Sequence, residues 1–156
     1  MYDEKKFLRK AIEIAADGIK YGGGPFGAVI SKGDKIIAES NNKVVMNIDP
    51  TAHAEILAIR DASLFLKTHD LTGCVLYASC EPCPMCLGAI YWAGIKKVVY
   101  ASDRRDAASA GFNDELIYSE ILLDPSKRQV TFMQIKDNEA EAVFRKWEQY
   151  DGKTTY

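Results

Sequence analysis

The chain has no apolar run approaching the about eighteen residues that a membrane-spanning helix needs. Its opening residues, Met1-Tyr2-Asp3-Glu4-Lys5-Lys6, carry too much charge and too little apolar character for a secretory signal. Both absences point to a cytoplasmic protein without a membrane partner. Excess basic charge is missing as well: the formal net charge is −2, and Lys5-Lys6, Lys96-Lys97, Arg104-Arg105 and Lys127-Arg128 are scattered rather than massed. Affinity for phosphate backbones is largely a Lys and Arg effect, so the balance speaks against nucleic acid and favours a small-molecule substrate. Internal repeats, low-complexity stretches and linkers are absent too, which argues for a single domain spanning 1–156.

Cysteine is scarce and unevenly placed. Of the four, Cys74 stands alone in an apolar stretch, and Cys80, Cys83 and Cys86 crowd together. In a chain without a secretory signal, a Cys-x-x-Cys pair reads as a metal or redox site rather than as half of a disulfide framework. The rest of the composition, 47% hydrophobic and 27% charged over 156 residues, is that of one globular unit able to bury a sizeable core.

Hydrophobic spacing predicts a helix over 3–20, ended by Gly22-Gly23-Gly24. Two strands, 25–30 and 35–40, follow with hairpin chemistry in Ser31-Lys32-Gly33-Asp34. Asp49-Pro50-Thr51 reads as a helix start, with the helix continuing from Ala52 to Leu66. A strand at 74–78, a helix at 83–93 closed by Gly94 and a strand at 98–101 come next. A loop over 102–114, a short helix over 115–123, an alternating strand at 130–135 and a helix over 139–150 complete the chain. Strands alternating with helices predict an α/β/α three-layer sandwich around a mixed sheet of about five strands.

Within that frame two short motifs open helices: Thr51-Ala52-His53-Ala54-Glu55 and Ser79-Cys80-Glu81-Pro82-Cys83-Pro84-Met85-Cys86. Cys83 and Cys86, three apart on a helix, share one face of its first turn, where the helix dipole and open N–H groups favour thiolate. His53 adds a third ligand from a second helix start. Three protein ligands leave a fourth tetrahedral position for water, the mark of a catalytic zinc. Zinc brings the pKa of such a water towards ~7, and Glu55 is the carboxylate to move its protons. The competing reading is a closed site with Cys80 as fourth ligand; a buried cysteine at a strand end is more often an inert small hydrophobe.

The pair His53-Ala54-Glu55 and Pro82-Cys83-Pro84-Met85-Cys86 resembles the cytidine-deaminase-like superfamily of zinc deaminases. Gly23 to Ile30, Asn41-Asn42, Asp49 to Glu55, Cys80 to Ala93, Asp106-Ala107-Ala108 and Ala110 to Asp114 are most similar to the guanine deaminases of bacteria. The resemblance implies one zinc per subunit and hydrolysis of guanine to xanthine and ammonia, with Glu55 and Asp114 catalytic. It implies that Asn42, the Ala54 backbone N–H, Phe26, Trp92 and Tyr156 hold the base. It also implies a homodimer in which the tail, 151–156, is exchanged and closes the partner's active site. The alternatives are a deaminase of another base, such as cytosine or a tRNA adenosine, and a non-catalytic zinc-stabilised binding module.

Overall fold

A computed structural model describes residues 4–155. Its first helix, α1 (Glu4–Lys20), is amphipathic, and its apolar face buries Phe7, Ala11 and Ala15. Small residues allow a close approach: a Cβ built on Gly27 would lie 2.2 Å from the Ala11 carbonyl oxygen, so α1 rests directly on the sheet there. That glycine opens β1 (Gly27–Lys32), which pairs antiparallel with β2 (Lys35–Asn41). The turn is shorter than predicted and the first strand starts later. Gly33 takes a φ of 63°, which permits a two-residue turn at Gly33-Asp34, so Ser31 and Lys32 remain in the strand.

A four-residue helix, α2 (Val44–Asn47), interrupts the stretch that leads to the first motif and was not anticipated. The helix expected to start at Asp49-Pro50-Thr51 instead begins later, as α3 (Ala54–Leu66). Asp49 does cap, but it caps a turn: its carboxylate accepts from the Thr51 N–H and hydroxyl at 2.8 and 2.7 Å. Strand β3 (Cys74–Cys80) follows, then α4 (Pro84–Trp92) and β4 (Lys97–Ser102). The region 102–114, expected to be a loop, contains α5 (Arg104–Ser109). Asp103 and Asp106 form a reciprocal capping box around its start, a local signal that outweighs the charge of the segment.

The sheet has the order β2-β1-β3-β4, with β1 antiparallel to both neighbours and β3 parallel to β4. Alternation along β1 divides the core. Val29 joins Phe7, Ala11 and Tyr77 on the α1 face. Ala28 and Ile30 join Leu76, Ala54, Ala58 and Ile90 on the face covered by α3 and α4. This is the expected three-layer α/β/α sandwich on a mixed sheet, with four strands rather than about five.

The missing strand falls in a second unit. Residues up to Glu115 form one compact unit and those from Leu116 another. Helix α6 (Asp114–Ile121) begins at the end of the first. The second continues through a 3-10 turn, Pro125–Lys127, to α7 (Asn138–Glu148). Residues 130–135 alternate as a strand would but take no regular structure. A strand needs a neighbour for its backbone groups, and the described residues of this unit contain no strand at all. None of the described residues from 116 onward is buried.

Candidate active site

Two helix starts meet at the ends of β2 and β3. His53 is the N-cap of α3 and Cys83 the N-cap of α4, both with extended backbone. An N-cap side chain ordinarily turns back to accept from its own helix; neither of these does. They face each other instead, with His53 Nδ1 3.5 Å from Cys83 Sγ and 3.6 Å from Cys86 Sγ, and the two sulfurs 3.6 Å apart. These separations form a near-equilateral triangle. A tetrahedral zinc with bonds of about 2.0–2.3 Å requires donor separations of roughly 3.5–3.8 Å, so the donor set fits that ion. Proline at 84 is accommodated at the first position of α4, where its missing N–H leaves no gap in the helix ladder.

The electrostatics suit a cation. The Cys83 thiol is pushed down to about 4, first by the hydrogen bond with Cys86 and then by His53. Cys86 moves up, through the same bond and through burial. His53 is raised because it bonds to Cys83. Cys80 stands apart: its thiol donates to the Asp103 carbonyl at 3.5 Å, burial pushes it up to about 11, and it lies outside the donor cluster. The structure thus supports three ligands, not the closed four-ligand alternative.

Beside the donors opens a cavity of about 400 Å³. Asn42, Glu55, Phe26 and Asp114 line it, as do His53 and Cys83. Two glutamates share this space in opposite states. Glu55 is 6% exposed, and burial raises its carboxyl to about 7. Glu81 also lines the cavity, but Arg104 donates to both its oxygens and holds its carboxyl below the usual range. A carboxyl titrating near neutrality can take and return a proton; one bound to a guanidinium cannot. The two carboxyls thus differ in state: Glu55 is buried and raised, and Glu81 is ion-paired and lowered.

Asn42, 6% exposed, uses its Oδ1 to accept the Val44 N–H at 3.2 Å, which fixes the amide and leaves Nδ2 as a donor. A Cβ on Gly24 would come within 3.3 Å of this side chain, so the glycine run supplies the room for it. Ala54 is the first residue of α3; its side chain is in the core and its N–H has no acceptor within the helix. Asp114 opens α6, so its place at a helix start and on the cavity wall coexist, and burial raises its carboxyl.

Trp92 is elsewhere. It is the last residue of α4, far along that helix from Cys83, is 68% exposed and does not line the cavity. The aromatic wall is made instead by Phe112, which packs edge-on against Phe26 with ring centroids 4.8 Å apart. Phe112 lies within the stretch that carries the family resemblance, but a loop phenylalanine announces no partner in sequence. Tyr156 lies outside the described residues.

Comparison with known proteins agrees with this geometry. The profile of the cytidine and deoxycytidylate deaminase zinc-binding region matches residues 1–102. A guanine deaminase of Bacillus subtilis is 48% identical over 155 residues, covering 99% of each chain. The crystal structure of the guanine deaminase from that organism superposes with a TM-score of 0.96, covering 100% of this chain and 99% of the other. A guanine deaminase of Nitrosomonas europaea is 34% identical at a TM-score of 0.70, over 73% of this chain and 66% of its own. A tRNA-specific adenosine deaminase of Aquifex aeolicus is 43% identical over 96 residues, 62% of this chain and 64% of its own.

Proposed function

The chain belongs to the cytidine and deoxycytidylate deaminase zinc-binding family, and we propose that its reaction is the zinc-dependent hydrolytic deamination of guanine to xanthine and ammonia. One observation carries the choice of base: the likeness to a guanine deaminase runs the whole length of the chain, whereas the likeness to a tRNA deaminase covers only 96 residues.

His53, Cys83 and Cys86 would hold the zinc, which would supply an acidified water as nucleophile at neutral pH. Glu55 takes the water proton and returns it to the ring nitrogen beside C2, a relay its raised pKa permits. Asn42 presents Nδ2 to an acceptor on the base, and the Ala54 N–H presents a second donor. Guanine offers N–H donors at N1 and at its exocyclic amine, and Asp114 accepts from that edge. Phe26 and Phe112, packed against each other, form one apolar wall beside the base and keep water from it.

The second unit completes the protein as a homodimer. Val143, Phe144 and Trp147 of α7 are 62%, 73% and 44% exposed, and an apolar stripe of this kind needs a surface to cover it. In our reading the C-terminal segment is exchanged between two copies, and 151–156 with Tyr156 closes the partner's site, making residues 1–156 one deaminase domain. In our reading the protein works in the cytoplasm, where a reducing poise keeps thiols such as its four unbridged cysteines available.

A panel of guanine, adenine, cytosine, cytidine and a tRNA, assayed for ammonia with zinc-loaded protein, tests the substrate. Guanine is expected to turn over; an inert guanine beside another active base would overturn the choice while leaving the family intact. Sedimentation as a monomer would remove the exchanged tail.

A further inference from the structure

Two segments that the reaction needs are tied together by a side chain that does not face the substrate. Glu81 directly follows β3 and stands two residues before Cys83, with the conformationally restricted Pro82 between. Arg104 opens α5. The Arg104 backbone N–H, Nε and Nη2 donate to the Glu81 carboxylate at 3.2, 3.1 and 2.5 Å. Backbone links run alongside: the Glu81 N–H donates to the Ser102 carbonyl at 2.9 Å. From α5 the chain turns back, with the Phe112 N–H donating to the Ala107 carbonyl at 3.0 Å, and reaches the cavity with Phe112 and Asp114.

The neighbouring arginine shows what an ordinary surface pair looks like. The Arg105 side chain is 83% exposed and bonds to Asp103 within its own cap. Arg104 is 34% exposed, its partner 18%, and the pair spans two elements. A shielded bidentate guanidinium–carboxylate pair fixes geometry in a way that an exposed ion pair does not. Glu81 lines the same cavity as Cys83 and Asp114, so its position bears on both.

We propose that Arg104 is a positioning residue: by gripping both oxygens of Glu81 it sets the arm that carries Phe112 and Asp114 against the Cys83 side of the cavity. Its side chain bonds to Glu81, and its charge also reaches Asp114 on the same arm. This rests on the deaminase reading above, and deepens it by naming what holds the base-facing arm in register with the zinc donors.

The test uses full-length, zinc-loaded protein carrying Arg104→Met, Arg104→Lys, Glu81→Gln, Arg104→Met with Glu81→Met, or Arg105→Met as control. Zinc content, guanine kcat and KM, and amide hydrogen exchange across 110–114 are measured. Arg104→Met is expected to keep its zinc, speed exchange across 110–114 and lower kcat by about 10- to 100-fold, the scale of loss from a small misplacement. Arg104→Lys recovers part of the rate, because an ammonium cannot hold both oxygens. The double variant is no worse than Arg104→Met, as expected when two side chains act as one. Arg105→Met leaves rate and exchange unchanged. A kcat for Arg104→Met within about twofold of the parent, the range of independent sites, overturns the proposal. So does unchanged exchange across 110–114, or a rate loss that merely follows zinc loss. Should Arg104→Met fail to fold, Arg104→Lys and Glu81→Gln decide on the same criteria. If the parent does not deaminate guanine while exchange across 110–114 still rises in the variants, the brace stands and the choice of substrate falls.

Discussion

The region up to Glu115 and the region from Leu116 onward are built on opposite economies of burial. The first has a sheet covered on both faces and buries residues such as Ile30, Leu76 and Tyr77 almost completely. It also carries the three zinc donors and Glu55. The second buries nothing among its described residues, although α7 has the pattern of a helix made to be covered. Family likeness divides in nearly the same place: the deaminase profile ends at residue 102, while the Bacillus subtilis guanine deaminase matches through the whole chain. The first region is the part shared with relatives that act on several bases. The second is matched through its length by the Bacillus subtilis enzyme, whereas the Nitrosomonas europaea guanine deaminase matches 73% of the chain.

The most severe test of that division is within the first region. Glu55→Gln is expected to retain zinc, since the three donors are untouched, and to lose guanine turnover by roughly 10²- to 10⁴-fold, the range for losing a general acid–base. Ammonia release together with metal content checks both halves of that statement. A chain cut after Gln149 should keep its zinc and melting behaviour, because none of the described residues of the removed segment is buried. Its kcat/KM for guanine should fall by about tenfold or more if the tail closes the site by excluding water and ordering the base. Unchanged kinetics would reduce the tail to an appendage and erase the contrast.

Smaller effects sharpen the boundary. Phe112→Ala removes the ring that packs on Phe26, and should raise KM for guanine by about tenfold while kcat changes less, on the scale of ~0.5–1.5 kcal/mol for an aromatic pair. Titrating initial rates against guanine separates the two constants. Gly24→Ala should be gentler still: its Cβ would meet the Asn42 side chain at 3.3 Å, displacing that amide by a few tenths of an ångström. A modest rise in KM with zinc content unaltered is the expected result, and an unchanged KM would show that the amide yields without cost.

Helices and strands with strong periodicity, such as α1, α3, β1 and α4, were legible from side-chain spacing, because a face that must be buried imposes its period on the sequence. So were His53, Cys83, Cys86 and Glu55, since metal chemistry admits few residue types and the two ligand helices restrict their spacing. Other features depended on distant partners. Residues 130–135 alternate, but alternation states only which side chains share a face and says nothing of a neighbour to pair with. Trp92, expected beside a flat base, is exposed at the end of α4 in the single chain, whereas Phe112 lines the cavity from a loop. An aromatic residue carries no mark of what it will stand beside.

By itself, the sequence determined the metal-binding set and the layered α/β architecture, both of which follow from residue type and local spacing. Only the tertiary structure decided that Cys80 is excluded from the donor cluster, that Phe112 stands beside Phe26 on the cavity wall, and that Glu81 is held by Arg104 while Glu55 is buried. The physical reason is common to all three. Each is settled by which groups from separate segments share a few ångströms of space, and burial, charge and contact act there through distance in space rather than separation along the chain.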